Sequence, residues 1–325
     1  MTVKGDGNRD SVREEGGTIP GAPDVPAFAL LGPDPSAIPV LIAVPHAGRA
    51  YPAAVLERMR HPGHAALRLE DRYVDRLGDA MARETGAALL VANAPRAMLD
   101  LNRSADDIDW EMLGPTLRDR RAEAPQRAVP GQRARSGLGL IPRRLPGLGE
   151  LWKRRIDRAE LDARIAGIHA PYHDRLGAAL EALRERWGAA LLIDLHSMPP
   201  LAARSGTVPA EFVIGDRFGA ACDGALIASA FGYFGEMRRG AAHNRPYAGG
   251  YVLERHGRPR RGVHALQLEV DRLSYLDAAM AEPGKGFAAM VALLSGLVRR
   301  LAADVAALGQ GGQGRDAGQW ADAAE

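Results

Sequence analysis

Four side chains in this sequence have types and positions suited to hydrolysis at a metal ion: His46, Asp71, His196 and Glu269. Two neutral imidazoles and a carboxylate are the usual ligand set of catalytic zinc, with a fourth position left for water. Such an ion lowers the pKa of the water and polarises a carbonyl. A nearby unligated carboxylate could take the proton and return it to a leaving amine. Arg96, Asp100, Asn102 and Arg103 crowd into eight residues, a cluster suited to anions because the planar guanidinium fork binds a carboxylate bidentately. Each signal is weak alone. A single histidine can simply close a strand, Asp71 can favour a helix N-terminus, and two arginines can form a surface salt-bridge patch. The order His, acid, Arg cluster, His, Glu is more specific.

The elements that must position these residues are buried strands. Ala189 to Leu195 is an apolar run interrupted only by Asp194, and it ends in His196 and Ser197 between Gly188 and Pro199. It is too short for a helix and reads as a buried parallel strand. Ile38 to Val44 is a second such strand and stops at Pro45-His46-Ala47-Gly48. A third, Ala87 to Val91, runs into Asn93 and Arg96; beyond it, alternation puts Leu99 and Leu101 on one face and Asp100 and Asn102 on the other. The strand His264 to Val270 carries Leu266, Leu268 and Val270 on one face and Gln267 and Glu269 on the other. A carboxylate there is unfavourable unless it meets a site or a partner. In open α/β sheets ligands bind beyond the carboxyl ends of the strands, which is where His46 and His196 fall.

Helices connect the strands. One is expected from Glu70-Asp71 with Val74, Leu77 and Met81 inward and Gly86 as C-cap. A long one ends at Trp187 with Leu176, Leu180 and Leu183 in its stripe; Pro171, between His169 and His173, starts or kinks it. Those two histidines could share a face, but the His-Glu-x-x-His pattern is absent. Glu211 to Gly215 reads as a short strand and Asp216 as a helix start, followed by the loop Asn244 to Tyr251 with its adjacent glycines. The last helix carries Phe287, Val291, Leu294, Val298, Leu301, Val305 and Leu308, a stripe for the core or for a dimer seam.

The 325 residues are 46% hydrophobic and 25% charged with a formal net charge of +2, an ordinary globular composition. The expected organisation is a polar disordered tail at 1–24, a single α/β catalytic domain at 25–308 and a second disordered tail at 309–325. Inside the domain, residues 104–153 form an irregular, Arg-rich excursion that could cover a pocket. Its Arg118, Arg120, Arg121, Arg127, Arg133 and Arg135 alternate with acids and lack aromatic partners, so no nucleic-acid partner is expected. The lone Cys222 excludes an internal disulfide and a Cys-based zinc site. No apolar run approaches a membrane span and no basic-then-apolar start is present, so the expected location is the cytoplasm.

Taken together, Val44 to Gly48, Glu70 to Asp75, Leu99 to Arg103, Asp194 to Ser197, Asn244 to Gly250 and Gly262 to Glu269 resemble the N-formylglutamate amidohydrolases, in that family's order and over about residues 38 to 277. The family resembles the zinc carboxypeptidases and aspartoacylases, and Asp100-Leu101-Asn102-Arg103 is similar to the substrate-binding run of the latter. The resemblance implies a mixed, largely parallel sheet flanked by helices, of the zinc-exopeptidase (phosphorylase/hydrolase-like) type. It implies one zinc ion held by His46 and His196, with Glu269 as general acid/base. Asp71 is the implied third ligand, with Glu70 as the alternative, because Arg49 stands where the carboxypeptidases have the Glu of His-x-x-Glu. Asn102 and Arg103 would grip a substrate carboxylate, Arg96 would polarise the scissile carbonyl, and Asn244 and Tyr247 would line the pocket. The implied reaction cleaves N-formyl-L-glutamate to formate and L-glutamate. Hydrolysis of another acidic N-acyl amino acid, or ligand binding without turnover, are the competing readings.

Overall fold

The computed structural model describes residues 11–33, 36–114, 131–202 and 209–319. In chain order it begins with β1 (Ser11–Gly16), β2 (Phe28–Pro33) and β3 (Val40–Val44). Then come α1 (Ala53–Arg58), α2 (Pro62–Leu69), α3 (Val74–Thr85) and β4 (Ala88–Ala92). The excursion contributes α4 (Gln132–Arg135) and the small hairpin of β5 (Arg144–Leu145) and β6 (Gly149–Glu150). Next are α5 (Arg158–Arg164), α6 (Ala170–Trp187), β7 (Ala190–Met198) and β8 (Phe212–Gly215). The chain closes with α7 (Gly224–Glu236), β9 (Ala241–His243), α8 (Tyr251–His256), β10 (Val263–Asp271) and α9 (Phe287–Gln319).

Eight strands form one mixed sheet in the order β1-β2-β4-β3-β7-β10-β8-β9. Its centre, β4-β3-β7-β10, is parallel. The strands β2 and β8 flank that centre antiparallel. Every residue of β3 and β7 is buried, as expected where helices cover both faces. On one face Leu41, Leu90 and Leu192 pack with Leu176, Leu180 and Leu183 of α6. On the other Ile42, Ile193 and Leu268 pack with Leu77 of α3, Phe234 of α7 and Leu294, Val298, Leu301 and Val305 of α9. The α9 stripe is therefore core from Val291 to Val305, with Phe287 half-buried and Leu308 exposed at its ends.

Several expectations need correction. Residues 11–16 are an edge strand, not part of a disordered tail; residues 1–10 lie outside the described ones. Helix α9 continues to Gln319, past the expected end at 308. Asp71 is not in a helical first turn, since α3 starts at Val74 after Tyr73 in a left-handed conformation, φ 57°. Asp216 starts no helix: α7 begins at Gly224, capped by Asp223, whose Oδ1 accepts from Ala225 N at 2.8 Å. Pro171 lies in the first turn of α6, the helix start expected of it. A π turn at Ile165–His169 joins α5 to α6 directly upstream and absorbs the missing N–H. Arg118, Arg120, Arg121 and Arg127 lie outside the described residues. Among the described residues no helix is long and apolar enough to cross a membrane.

Candidate active site

Because the four central strands run parallel, their carboxyl ends share one edge, and the sheet register sets the site. Glu269 of β10 sits opposite His196 of β7, and Gln267 opposite Asp194. Both histidine and glutamate are on the strand face away from the Ile193 and Leu268 core. His46 follows β3. A hydrogen bond from Asp71 N to His46 O, 2.9 Å, draws the turn before α3 over the same edge.

Each histidine is fixed by a carboxylate behind it. His46 Nε2 donates to Asp100 Oδ1 at 2.7 Å. His196 Nε2 donates to Asp194 Oδ2 at 2.9 Å. Both rings thus turn Nδ1 toward Asp71, whose Oδ2 is 3.0 Å from His196 Nδ1 and 3.6 Å from His46 Nδ1. His46, Asp71 and His196 offer three ligand atoms within 4.8 Å of one another, all on buried residues. The other oxygen of Asp71 is anchored: Oδ1 accepts from Ser197 Oγ and from Arg272 Nη2, both at 3.2 Å. Arg272 also donates to Ser197 Oγ at 3.0 Å and to the Glu70 carbonyl at 2.7 Å.

A cation fits this cluster. His46 Nδ1 is buried with no hydrogen-bond partner among the described residues, a costly arrangement for a lone pair unless a cation meets it. Burial disfavours charge on His196, but Asp194 and Asp71 outweigh it and raise its pKa well above the usual value. Its Nδ1 faces the Asp71 carboxylate, and a shared metal ion would bind between the two. Burial likewise opposes the Asp71 charge, yet the two imidazoles hold its carboxyl well below the ordinary range. An imidazole with a carboxylate on its far nitrogen is the common support of a metal-bound histidine.

Glu269 stands apart from this cluster. Burial pushes its pKa up to about 7, with His196 pulling down and Asp71 pushing up. Its Oε1 accepts from Gln267 Nε2 at 2.8 Å, Gln267 Oε1 accepts from Asn102 Nδ2 at 3.1 Å, and Asn102 Oδ1 accepts from Val252 N at 3.0 Å. Asn102 is therefore a strut leading to Glu269 as well as a wall of the cavity. Gly250 makes room for it, since a Cβ there would lie 2.4 Å from Asn102 Oδ1.

The cavity holds about 240 Å³ and is lined by His46, Asp71, His196 and Glu269, with Arg96, Asn102, Arg103 and Tyr247. Nε and Nη2 of Arg96 meet Asp100 Oδ2, each at 2.9 Å. Burial opposes its charge, but Asp100 and Asp71 raise its pKa. Arg103 donates from Nε to Leu138 O and from Nη1 to Asn102 O, both at 3.0 Å. Two expected residues are placed elsewhere. Asn244 is not at the cavity: its Nδ2 donates to Asp216 Oδ1 at 2.7 Å and its Oδ1 accepts from Asp216 N at 3.0 Å, closing a turn. Glu70 is outside the three-ligand cluster, paired with Arg72 at 3.0 Å. Arg49, in the place of the carboxypeptidase Glu, pairs with Asp75.

Behind the Leu101–Arg103 turn is a histidine stack. His173 Nε2 donates to Leu101 O and His169 Nε2 to Arg103 O, each at 2.9 Å. That leaves His173 Nδ1 as acceptor for His256 Nε2 at 3.1 Å. Burial, with help from neighbouring cations, lowers the pKa of His173 to about 2 and that of His256 to about 3. The expected shared face of His169 and His173 thus supports the Leu101–Arg103 turn rather than forming a metal site among the described residues.

A family model described as N-formylglutamate amidohydrolase matches residues 38–276. The chain belongs to this family. The N-formylglutamate deformylase of Pseudomonas aeruginosa is 31% identical over 250 residues, covering 74% of this chain and 83% of that one. Its counterpart from Pseudomonas putida is 31% identical over 246 residues, 74% and 82%. The crystal structure of N-formylglutamate amidohydrolase from Ralstonia eutropha JMP134 superposes with a TM-score of 0.76 at 33% identity, covering 86% of this chain and 98% of that one. The gene product Atu2144 from Agrobacterium tumefaciens shares the fold, with TM-score 0.58, 18% identity and coverage of 86% and 96%.

Proposed function

We propose that this amidohydrolase cleaves N-formyl-L-glutamate to formate and L-glutamate, using a zinc ion held by His46 Nδ1, Asp71 Oδ2 and His196 Nδ1. One observation carries the reading: in a chain of this family, the three-ligand cluster faces a separate buried carboxyl, Glu269, poised near neutral pH. When bound, zinc would acidify the attacking water and polarise the formyl carbonyl.

The chain's own residues supply the rest. Glu269 is the base. A carboxyl with a pKa of about 7 can both accept and release a proton near that pH. Its Oε1 is committed to Gln267, so the proton is held on Oε2. Water adds to the formyl carbon, the C–N bond breaks, and the proton taken by Glu269 goes to the departing amine nitrogen. Arg96, fixed by Asp100, aims positive charge at the oxygen where negative charge develops. Arg103 takes the substrate α-carboxylate. Its two backbone hydrogen bonds hold the guanidinium in place before substrate arrives. Tyr247, at the cavity wall, closes the site beside Glu269.

The test is formate release from N-formyl-L-glutamate by purified protein, before and after chelation and after zinc is restored. Turnover that is lost and regained supports the reading. No formate from this substrate, with metal loaded, overturns it.

A further inference from the structure

The cavity carries more positive charge than hydrolysis of a formyl group needs. Five arginines line it, Arg68, Arg96, Arg103, Arg133 and Arg272, against the carboxylates of Asp71 and Glu269. Arg96 pairs with Asp100 and Arg272 with Asp71. For the other three, no carboxylate among the described residues forms an ion pair. Arg103 meets only carbonyls, and Arg68 Nη2 donates to Pro146 O at 3.1 Å. The cluster is under-neutralised: burial and then the charges of Arg96 and Arg133 outweigh Asp100 and lower the pKa of Arg103. Guanidinium groups lining one cavity repel one another unless an anion enters between them.

The three arginines also differ in depth. Arg103 is part-buried, next to Asn102 and the Glu269 strut, whereas Arg68 on α2 and Arg133 on α4 are exposed at the mouth. A formyl group at the floor leaves two carboxylates to place. The α-carboxylate is tethered one carbon from the amide nitrogen and stays near the floor with Arg103. The side-chain carboxylate is two methylenes further out and reaches the mouth.

We propose that Arg133, with Arg68 beside it, binds the side-chain carboxylate and makes the site selective for N-formyl dicarboxylic amino acids. This rests on the deformylase reading and gives a task to the Arg-rich excursion, which brings Arg133 to the cavity on the short helix α4.

The test compares wild type with Arg133→Gln and Arg68→Gln on N-formyl-L-glutamate and on N-formyl-L-glutamine, its isostere with an uncharged side chain. Wild type should favour the acid. Arg133→Gln should raise KM for N-formyl-L-glutamate about tenfold, as expected for losing a charge-assisted contact, leave kcat within about twofold, and leave N-formyl-L-glutamine unaffected. Arg68→Gln should act in the same direction. Equal losses on both substrates, or none on either, overturn the assignment. A second arm needs no turnover: calorimetric binding of L-glutamate and L-glutamine. Wild type should prefer glutamate and Arg133→Gln should lose the preference; an unchanged preference overturns the assignment. Absence of formate release from wild type would overturn the deformylase reading alone, because the binding arm would still judge Arg133.

Discussion

Acid should destabilise this protein through the histidine stack behind the Leu101–Arg103 turn. His173 and His256 are buried, and burial above all, with nearby cations, brings their pKa values to about 2 and about 3 in the folded chain. In the unfolded chain both should titrate near the ordinary value of about 6.5. A base with a depressed folded pKa binds more protons unfolded than folded, so its contribution to stability is intact above pH 6.5 and declines as pH falls below it. Between pH 7.5 and 5.5 each histidine should cost about 1.4 kcal/mol, and the pair about 3 kcal/mol. The size is insensitive to the folded values, because any pKa well below 5.5 leaves the folded state unprotonated across the window.

Urea unfolding at the two pH values measures the loss, with the same metal loading throughout. His256→Phe keeps a ring stacked on His173, now 5.3 Å between centroids, but removes one titrating group. Whatever the other groups contribute, the loss should then be smaller than in wild type by about 1.4 kcal/mol. The variant will itself be less stable, since His173 Nδ1 loses its donor, but that cost is present at both pH values and cancels in the comparison. If His256→Phe loses as much as wild type between the two pH values, His256 is not held neutral and the account of the stack is wrong.

The proposed metal site makes a second prediction: exhaustive chelation should remove about one zinc per chain together with activity, and His46→Ala or His196→Ala should abolish zinc binding by elemental analysis. Full activity after chelation would refute the site, and zinc lost in Glu70→Gln but kept in Asp71→Asn would reassign the third ligand. Glu269→Gln should keep zinc and substrate affinity while kcat falls by roughly two to four orders of magnitude; near-normal turnover per folded, zinc-loaded molecule would remove Glu269 from the chemistry. Arg103→Lys keeps charge but loses the fork, so KM for the acidic substrate should rise on the order of tenfold; unchanged KM would make Arg103 a structural residue only.

The central strands were legible because burial on both faces leaves a simple mark, a short apolar run closed by Gly or Pro, as at Val40–Val44 and Ala190–Met198. The edge was not. In β1 Val12 is exposed and Arg13 pairs with Glu15, so a strand with solvent along it has the composition of a tail. Asp216 looked like a helix start because an acid before an apolar stretch usually is one, yet its carboxylate and backbone are taken by Asn244. Asn244 in turn was expected in the pocket from its motif, and its pairing with a residue 28 positions away has no local signature. The supports of the two histidines divide in the same way. Asp194 and His196 are two apart on one strand and must share a face, a signal present in the sequence. Asp100 reaches His46 across 54 residues, and only the fold brings them together.

What separates the acids of the site is environment rather than residue type. Asp71, Asp100, Asp194 and Glu269 are all buried within a few contacts of one another, and on sequence alone any could be ligand or base. Asp100 is held well below the ordinary carboxyl range, since Arg96 and His46 outweigh its burial. It meets the back of one ring and Asp194 the back of the other, so neither faces the ligand atoms. Asp71 has one oxygen tied to Ser197 and Arg272 and the other among the imidazole Nδ1 atoms, a geometry for staying ionised and staying put. Glu269 has no arginine in ion-pair contact among the described residues, and one amide donor on one oxygen. Burial is left to dominate, and its carboxyl rises to about 7. Carboxyls with pKa values driven apart in one cavity divide into fixed charges and a proton carrier. Here the fixed charges are Asp71 and Asp100, and in the proposed mechanism the proton carrier is Glu269 on the neighbouring strand, in register with His196.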